Sequence, residues 1–354
     1  MFVDLKKQYK ASLKSADTEE GIDLAFYRPI GFAWAYLFRK LGITPNMVTI
    51  ASIFLGIGAG VCFFYEKWWI NVIGIILLIW ANSFDSADGQ LARMTKQYSA
   101  LGRILDGLSG DIWFFSIYFA ICLRITFGHY IFDGCEWLIW IIAAVAGVCH
   151  AKQAAMADHY RQFHLLMVNG KSELDDTAEL RQRLAALSWR KNFWRKATLT
   201  FYTGYTANQE ATAPTLQRLR SELAARFPEG LPSERFRADF RSVSLPLMKY
   251  TNALTFNWRT IFLFFSIGVG QPWLYFAAEI TVFNILLIYM VRRHEAICRQ
   301  ALADLASGKY DKYSLGQGPR YPVRLRRPKR LRRRPLERSN LRCLSLLRFQ
   351  HSLP

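Results

Sequence analysis

Between positions 85 and 111 the chain reads DSADGQLARMTKQYSALGRILDGLSGD, which sets four carboxylates, Asp85, Asp88, Asp106 and Asp111, beside long apolar runs. Asp85, Asp88, Gly89 and Ala92 stand at i, i+3, i+4 and i+7, so a helix gathers two acids, a glycine and a small residue on one face, with Arg93 at its margin. Gly102 and Asp106 repeat the i, i+4 spacing on the next segment. Carboxylates at the edge of a bilayer are costly without compensation, and one arginine is too little. Clustered hard oxygen ligands with open positions call for a divalent cation, magnesium or manganese rather than zinc. Two such ions could clamp a pyrophosphate, with Gly89 admitting a ligand close to the backbone and Arg93 gripping a phosphate oxygen. A buried ion-pair network or the cation pathway of a transporter uses the same residue types, and both readings stay open on these residues alone.

The elements that must position these groups are membrane helices. Of 354 residues 52% are apolar, 15% aromatic and 21% charged, with a net charge of +19. Leu41 to Tyr65 is uncharged, as is Trp68 to Phe84, and about 20 apolar residues suffice to span a bilayer. A third helix is expected from Leu101 to Leu123 and a fourth from Trp137. Thr260 to Ala278 is uncharged but broken at Gln271-Pro272, and Ile280 to Val291 continues beyond Glu279, so a fifth and a sixth helix are expected, turning at Pro272. The expected fold is thus all-α, a polytopic bundle of six transmembrane helices with an N-terminal interfacial helix and a helical cytoplasmic insertion. Arg39, Lys40, Arg93, Lys96, Arg103, Arg292 and Arg293 fall on one side of these spans, which is then the cytoplasmic side and carries the acid-rich connection. The first twenty residues are polar, so no signal peptide is expected. The six cysteines are scattered without a CxxC pair, so neither a disulfide framework nor a zinc site is expected.

The domain boundaries follow. Residues 1–40 form an N-terminal segment whose aromatics from Gly21 to Lys40, with Pro29 as a first helical residue, suit an interfacial helix or the start of the first span. Residues 41–168 hold helices one to four with the motif at 85–111, and 256–303 hold helices five and six. The insertion at 169–255 is net positive, and from Trp189 to Tyr205 it interleaves aromatic with basic residues. That pattern suits anionic headgroups or, equally, the core of a small helical cap. Residues 304–354 form a basic tail, expected to be disordered. From Arg320 it carries eleven Arg and one Lys against one Glu. An electrostatic membrane tether is its functional reading, and no nucleic-acid partner is expected.

The motif resembles the signature of the CDP-alcohol phosphatidyltransferase family, D-x-x-D-G-x-x-A-R, eight residues, then G-x-x-x-D-x-x-x-D. Asp85, Asp88, Gly89, Ala92, Arg93, Gly102 and Asp106 match at the required spacing, and Thr44-Pro45-Asn46 with Val48-Thr49 is similar to the segment before the family's first span. The resemblance implies that Asp85, Asp88, Asp106 and a last Asp hold two metal ions, Mg2+ or Mn2+. It implies that Asn46, Gly89, Ala92 and Arg93 hold the CDP moiety, that the last Asp deprotonates the attacking hydroxyl, and that the chain dimerises. Here the chain departs from the pattern, because the slot four residues after Asp106 is Gly110 and the acid is Asp111. Five residues rotate a helix by about 140° and four by about 40°. A π-bulge near Gly107 to Gly110 would restore Asp111 as base and ligand beside Asp106.

The implied reaction moves a phosphatidyl group from CDP-diacylglycerol to a small polar alcohol, a polyol or a phosphorylated one such as inositol phosphate or glycerol phosphate, and releases CMP. The alternative is CDP-choline or CDP-ethanolamine acting on diacylglycerol or ceramide. Arg103, His150, Lys152, His159 and Arg161 are the basic groups a phosphorylated acceptor would need, and equally the flank of an emerging helix. A transporter would spread its acids along the midplane, whereas here they cluster at one end. Glu279 alone stands apart, expected to be solvated near the opposite interface. The resemblance implies an integral, multi-pass protein of a bacterial inner membrane that works on membrane lipids.

Overall fold

The computed structural model describes residues 2–13, 17–170, 174–190, 192–227 and 231–310, excluding the side chains of 2–6, 100, 101, 103, 104 and 169. The basic tail from 311 onward therefore lies outside the described residues, as does the Arg103 side chain. Among the described residues the regular structure is helical and contains no strand. A short α1 (Phe2–Ser12) precedes a connecting segment that ends in a π-helical turn at Asp23–Tyr27 and runs directly into α2 (Arg28–Lys40). Pro29 stands in the first turn of α2, where its missing N–H is harmless. Gly42, at φ +70°, and an extended Thr44 then separate α2 from α3 (Pro45–Phe64), so α2 is an element of its own. It packs its buried Ala35 and Phe38 towards Ala87 and Leu91 of the next long helix.

That helix, α4 (Trp68–Thr95), has 28 residues and is about 42 Å long. It carries the apolar run and the whole Asp85 to Arg93 stretch on one rod, and Lys96 closes it in the left-handed conformation at φ 55°. Next comes α5 (Ala100–Phe127), capped by Ser99, whose hydroxyl accepts from the Gly102 amide. α3 packs against both α4 and α5. Its contact with α5 is possible because Gly56 and Gly60 face Trp113 and Ser116. A Cβ on Gly56 would sit 2.0 Å from Trp113 Cδ1, and one on Gly60 2.3 Å from Ser116 Oγ. Small residues four apart allow this close approach of helices in an apolar setting.

α6 (Leu138–Asn169) continues for 32 residues, far past the end of its apolar run. Its second half packs with the helices that follow, α7 (Thr177–Ala185), α8 (Phe193–Thr212), α9 (Pro214–Arg226), α10 (Glu234–Ser244) and α11 (Met248–Ala253). Leu216, Leu219, Leu223, Phe236 and Phe240 of these helices share a core with Tyr160, Phe163 and Met167 of α6. The aromatics at 189–201 are not that core. Trp194 and Phe201 are 81% and 82% exposed, and Trp189 and Phe193 are also exposed.

The chain returns through α12 (Phe256–Gly268), turns at Gly270 and Pro272, and ends in α13 (Trp273–Ile280) and α14 (Val282–Ala306). The turn at Pro272 falls where the sequence puts it, and a long apolar stretch follows it. With 13 residues α12 reaches about 20 Å, short of the ~30 Å apolar core of a bilayer. Five helices among the described residues are long and apolar enough to cross a membrane: Pro45–Phe64, Trp68–Thr95, Leu105–Phe127, Leu138–Val168 and Trp273–Ala306.

Where α12 meets α13, the structure holds a buried ion pair. Arg259 Nη1 lies 2.7 and 2.6 Å from the two carboxylate oxygens of Glu279, with side chains 1% and 0% exposed. Glu279 was expected to be solvated. It is enclosed instead, because Arg259, the Tyr275 hydroxyl at 2.8 Å and His150 at 3.4 Å replace water around it.

Candidate functional site

Three helices bring the motif together. Asp85 and Asp88 project from α4 and Asp106 from the first turns of α5, and one oxygen from each lies within 4.8 Å of the others. α3 supplies the support: the Thr49 hydroxyl donates to Asp88 Oδ2 at 2.5 Å. On α5, Ser109 donates to Asp85 Oδ1 at 2.8 Å. Both carboxylates are thus oriented by hydroxyl groups. Asp88 is buried, Asp85 half-buried and Asp106 exposed, so the group is open on the Asp106 side. Hard oxygen donors this close together repel one another unless a cation lies between them, which fits the magnesium or manganese chemistry expected from the sequence.

Asn46, at the start of α3, accepts from Ser99 Oγ at 3.1 Å. A Cβ on Gly102 would stand 2.5 Å from Asn46 Oδ1, so the glycine is what lets the two helix starts meet. A Cβ on Gly89 would meet nothing closer than Arg93 Nη1, at 3.4 Å, which leaves room over that turn of backbone. Arg93 donates through Nε to the Ser12 carbonyl at 2.6 Å, while its buried Nη2 has no hydrogen-bond partner. An orphaned guanidinium nitrogen next to an open glycine is a fitting place for a phosphate oxygen.

Asp111 does not join the others. α5 is uninterrupted α-helix from Ala100 to Phe127, so the π-bulge that would have turned it inward is absent. Asp111 is exposed, and it is not among the carboxylates that converge. A Cβ added at Gly107 or Gly110 would meet nothing within 4 Å. The structure does form a π-helical turn elsewhere, at Asp23–Tyr27.

The triad borders a cavity of about 770 Å³ whose wall includes Asn46, Gly89, Ala92, Arg93, Gly102 and Arg161. Of the basic groups expected to bind an acceptor phosphate, Arg161 reaches it, donating to Asn252 Oδ1 at 3.1 Å. His150, Lys152 and His159 do not reach it. His150 lies against Glu279, Lys152 Nζ donates to Asn208 Oδ1 at 2.6 Å and to Thr212, and His159 is buried elsewhere.

The opposite wall comes from chain segments that the sequence motif does not include. Thr18, Glu19, Glu20 and Asp23 line it from the N-terminal connection, and Asn252, Thr255 and Asn257 from the start of the C-terminal half. Glu20 accepts from Thr255 at 2.7 Å and from Asn257 Nδ2 at 3.1 Å, and Asp23 accepts from Asn257 Nδ2 at 2.9 Å. Burial raises the Glu20 carboxyl above its ordinary value, against the two hydrogen bonds that lower it. Asp17 pins the segment, bonded to Arg241 at 2.6 and 2.8 Å, and that guanidinium holds its carboxyl below the usual range. The single sequence clue to this wall was the acid-rich string Asp17 to Asp23 in a polar segment.

A family model described as CDP-alcohol phosphatidyltransferase matches residues 42–164, from the residues before α3 through most of α6. That stretch contains every member of the triad together with Asn46, Gly89, Ala92 and Arg93. No curated protein and no solved structure matches the chain. The match covers about a third of the chain and marks that stretch as similar to the family, and the five helices long and apolar enough to cross a membrane support an integral membrane protein.

Proposed function

We propose that the protein transfers a phosphatidyl group from CDP-diacylglycerol to the hydroxyl of a polar alcohol and releases CMP. The observation that carries this reading is the convergence of Asp85, Asp88 and Asp106 beside an open glycine and an arginine with an unused nitrogen, all on one cavity. Asp85, Asp88 and Asp106 would hold magnesium or manganese, two ions as the family resemblance implies, and bound metal supplies charge neutralisation for the pyrophosphate. The acceptor oxygen attacks the phosphorus that bears the diacylglycerol, the bond from that phosphorus to the CMP oxygen breaks, and CMP leaves with the bonding pair. Arg93 Nη2, with Gly89 beneath it, holds a phosphate oxygen of the nucleotide. Asp106, the most exposed of the three acids, takes the acceptor's proton, a role for which Asp111 is badly placed. Arg93, Lys96 and Arg39 cluster at this end of the bundle, which supports a cytoplasmic site.

The test is CMP release by the full-length protein in detergent with magnesium and CDP-diacylglycerol, against a panel of alcohols. Turnover that disappears with EDTA and falls at least about a hundredfold in Asp85→Asn and Asp106→Asn is the expected result. Turnover from CDP-choline or CDP-ethanolamine with diacylglycerol, and none from CDP-diacylglycerol, would reverse the two substrates. Full turnover in either variant would remove the metal assignment.

A further inference from the structure

The cavity is charged in a way that discriminates between alcohols. Beyond the triad, and among the described side chains, which exclude Arg103, its wall carries four more carboxylates, Glu19, Glu20, Asp23 and Asp158, against three guanidinium groups. Each guanidinium has a partner, Arg28 lying 3.3 Å from Glu19 and donating to Ser86, Arg93 donating to the Ser12 carbonyl and Arg161 to Asn252, while Arg93 Nη2, assigned above to the nucleotide phosphate, and Arg161 Nε have no hydrogen-bond partner. A dianionic phosphate brought here meets more anions than cations among the described groups, and like-charge juxtaposition is unfavourable. The three further bases that a phosphorylated acceptor would use do not reach the wall.

Asn257 gives the independent indication of what belongs here. It is 4% exposed and stands in the cavity wall. Its Nδ2 donates to both Glu20 and Asp23, which fixes the amide orientation, because the flipped amide would set its oxygen against two carboxylates. Its Oδ1 is consequently left with no hydrogen-bond partner. A buried acceptor atom without a donor is costly, so this is a place that waits for a ligand's O–H or N–H. Two carboxylates beside it offer further acceptor positions and no donors.

We infer that Glu20, Asp23 and Asn257 form the subsite for the acceptor alcohol, and that the acceptor is an unphosphorylated, donor-bearing alcohol, a polyol or an amino alcohol. This rests on the transferase reading above and narrows it. Glu20, Asp23 and Asn257 lie outside residues 42–164, so acceptor choice is set by the N-terminal connection and the start of α12, and the matched segment supplies the chemistry.

The experiment has two readouts on the full-length protein in detergent with magnesium. In the first, CMP release from CDP-diacylglycerol is measured with inositol, glycerol, serine and ethanolamine, and with inositol phosphate and glycerol phosphate. An unphosphorylated alcohol is expected to be the better acceptor by at least about a hundredfold. Asp23→Asn and Glu20→Gln are expected to raise the KM for that alcohol by about ten- to a hundredfold, the worth of a hydrogen bond to a charged group, with the KM for CDP-diacylglycerol unchanged. In the second, the melting temperature is followed as each alcohol is added without a donor. Stabilisation by an unphosphorylated alcohol that is lost in Asp23→Asn supports the subsite even if no turnover is found, in which case the transferase reading alone fails. Preference for a phosphorylated alcohol in either readout overturns the inference. So does a normal acceptor KM in both variants, or the absence of stabilisation by every alcohol without turnover.

Discussion

Replacing Glu279 by glutamine tests the physical account of how α12 is held, and with it the wall that begins at Asn257. The Arg259 guanidinium has no water to fall back on. It is 1% exposed and bonded to both Glu279 oxygens, to Gln153 Oε1 at 2.9 Å and to the Leu254 carbonyl at 3.0 and 3.1 Å. Glu279→Gln keeps the shape but leaves that charge uncompensated in an apolar bundle. Breaking a buried pair in this way costs about 3–5 kcal/mol, against under about 1 kcal/mol for an exposed pair. Arg259→Met strands the Glu279 carboxylate instead, where Tyr275 and His150 remain as partners, and belongs in the same range. With both changes no charge is stranded, so the double variant should be more stable than the sum of the single costs predicts by at least about 2 kcal/mol. Unfolding in mixed micelles with increasing SDS, followed by circular dichroism, supplies all three values. Single costs that simply add, or a Glu279→Gln cost below about 1 kcal/mol, would refute the buried-pair argument.

Four further outcomes are expected. Thr49→Val removes the bond that orients Asp88, and should lower magnesium-dependent turnover about ten- to a hundredfold while the fold persists, as loss of a ligand's supporting partner does; unchanged turnover and magnesium requirement would show that Asp88 needs no orientation. Gly56→Ala puts a Cβ against the Trp113 ring and should destabilise by about 1–3 kcal/mol, whereas a neutral result in thermal melting would mean that α3 and α5 part easily. Asp17 has its carboxyl lowered by Arg241, so its contribution is complete above the unfolded carboxyl value near 4 and is lost as pH falls through the lower folded value; hydrogen exchange at residues 17–23 should quicken across that acid window and stay quick in Asp17→Asn at neutral pH, and a pH-independent rate would contradict the pinning role. Spin labels at Trp194 and Phe201 in nanodiscs should be reached by oxygen more readily than by a water-soluble nickel chelate, because exposed aromatics beside Arg195 and Lys196 suit the headgroup layer; the opposite ratio would place α8 in water.

What sequence could determine was whatever depends on spacing along one helix. The i, i+3, i+4, i+7 pattern put Asp85, Asp88, Gly89 and Ala92 on one face without reference to any neighbour, and uninterrupted α4 preserves it. Runs free of charge marked α3 to α6 and the apolar stretch after the turn at Pro272, whereas the short length of α12, set by Gly270 and Pro272, was not legible in them. Helical rotation alone also stated the difficulty with Asp111, and the regular α5 keeps that rotation in place.

Tertiary structure decided everything that depends on partners far apart in the chain. Thr49 reaches Asp88 across 39 positions, and Arg259 finds Glu279 because the turn at Gly270 folds α13 back beside α12. His150 and Lys152 looked like phosphate ligands from their place at the end of an apolar run. A basic side chain goes to the nearest acceptor in space, however, and those acceptors were Glu279 and Asn208. The acidic wall shows the same limit most clearly. Glu20 and Asp23 lie more than 230 positions from Asn257, and no local periodicity encodes a contact whose cost and gain are settled by the packing of the whole bundle.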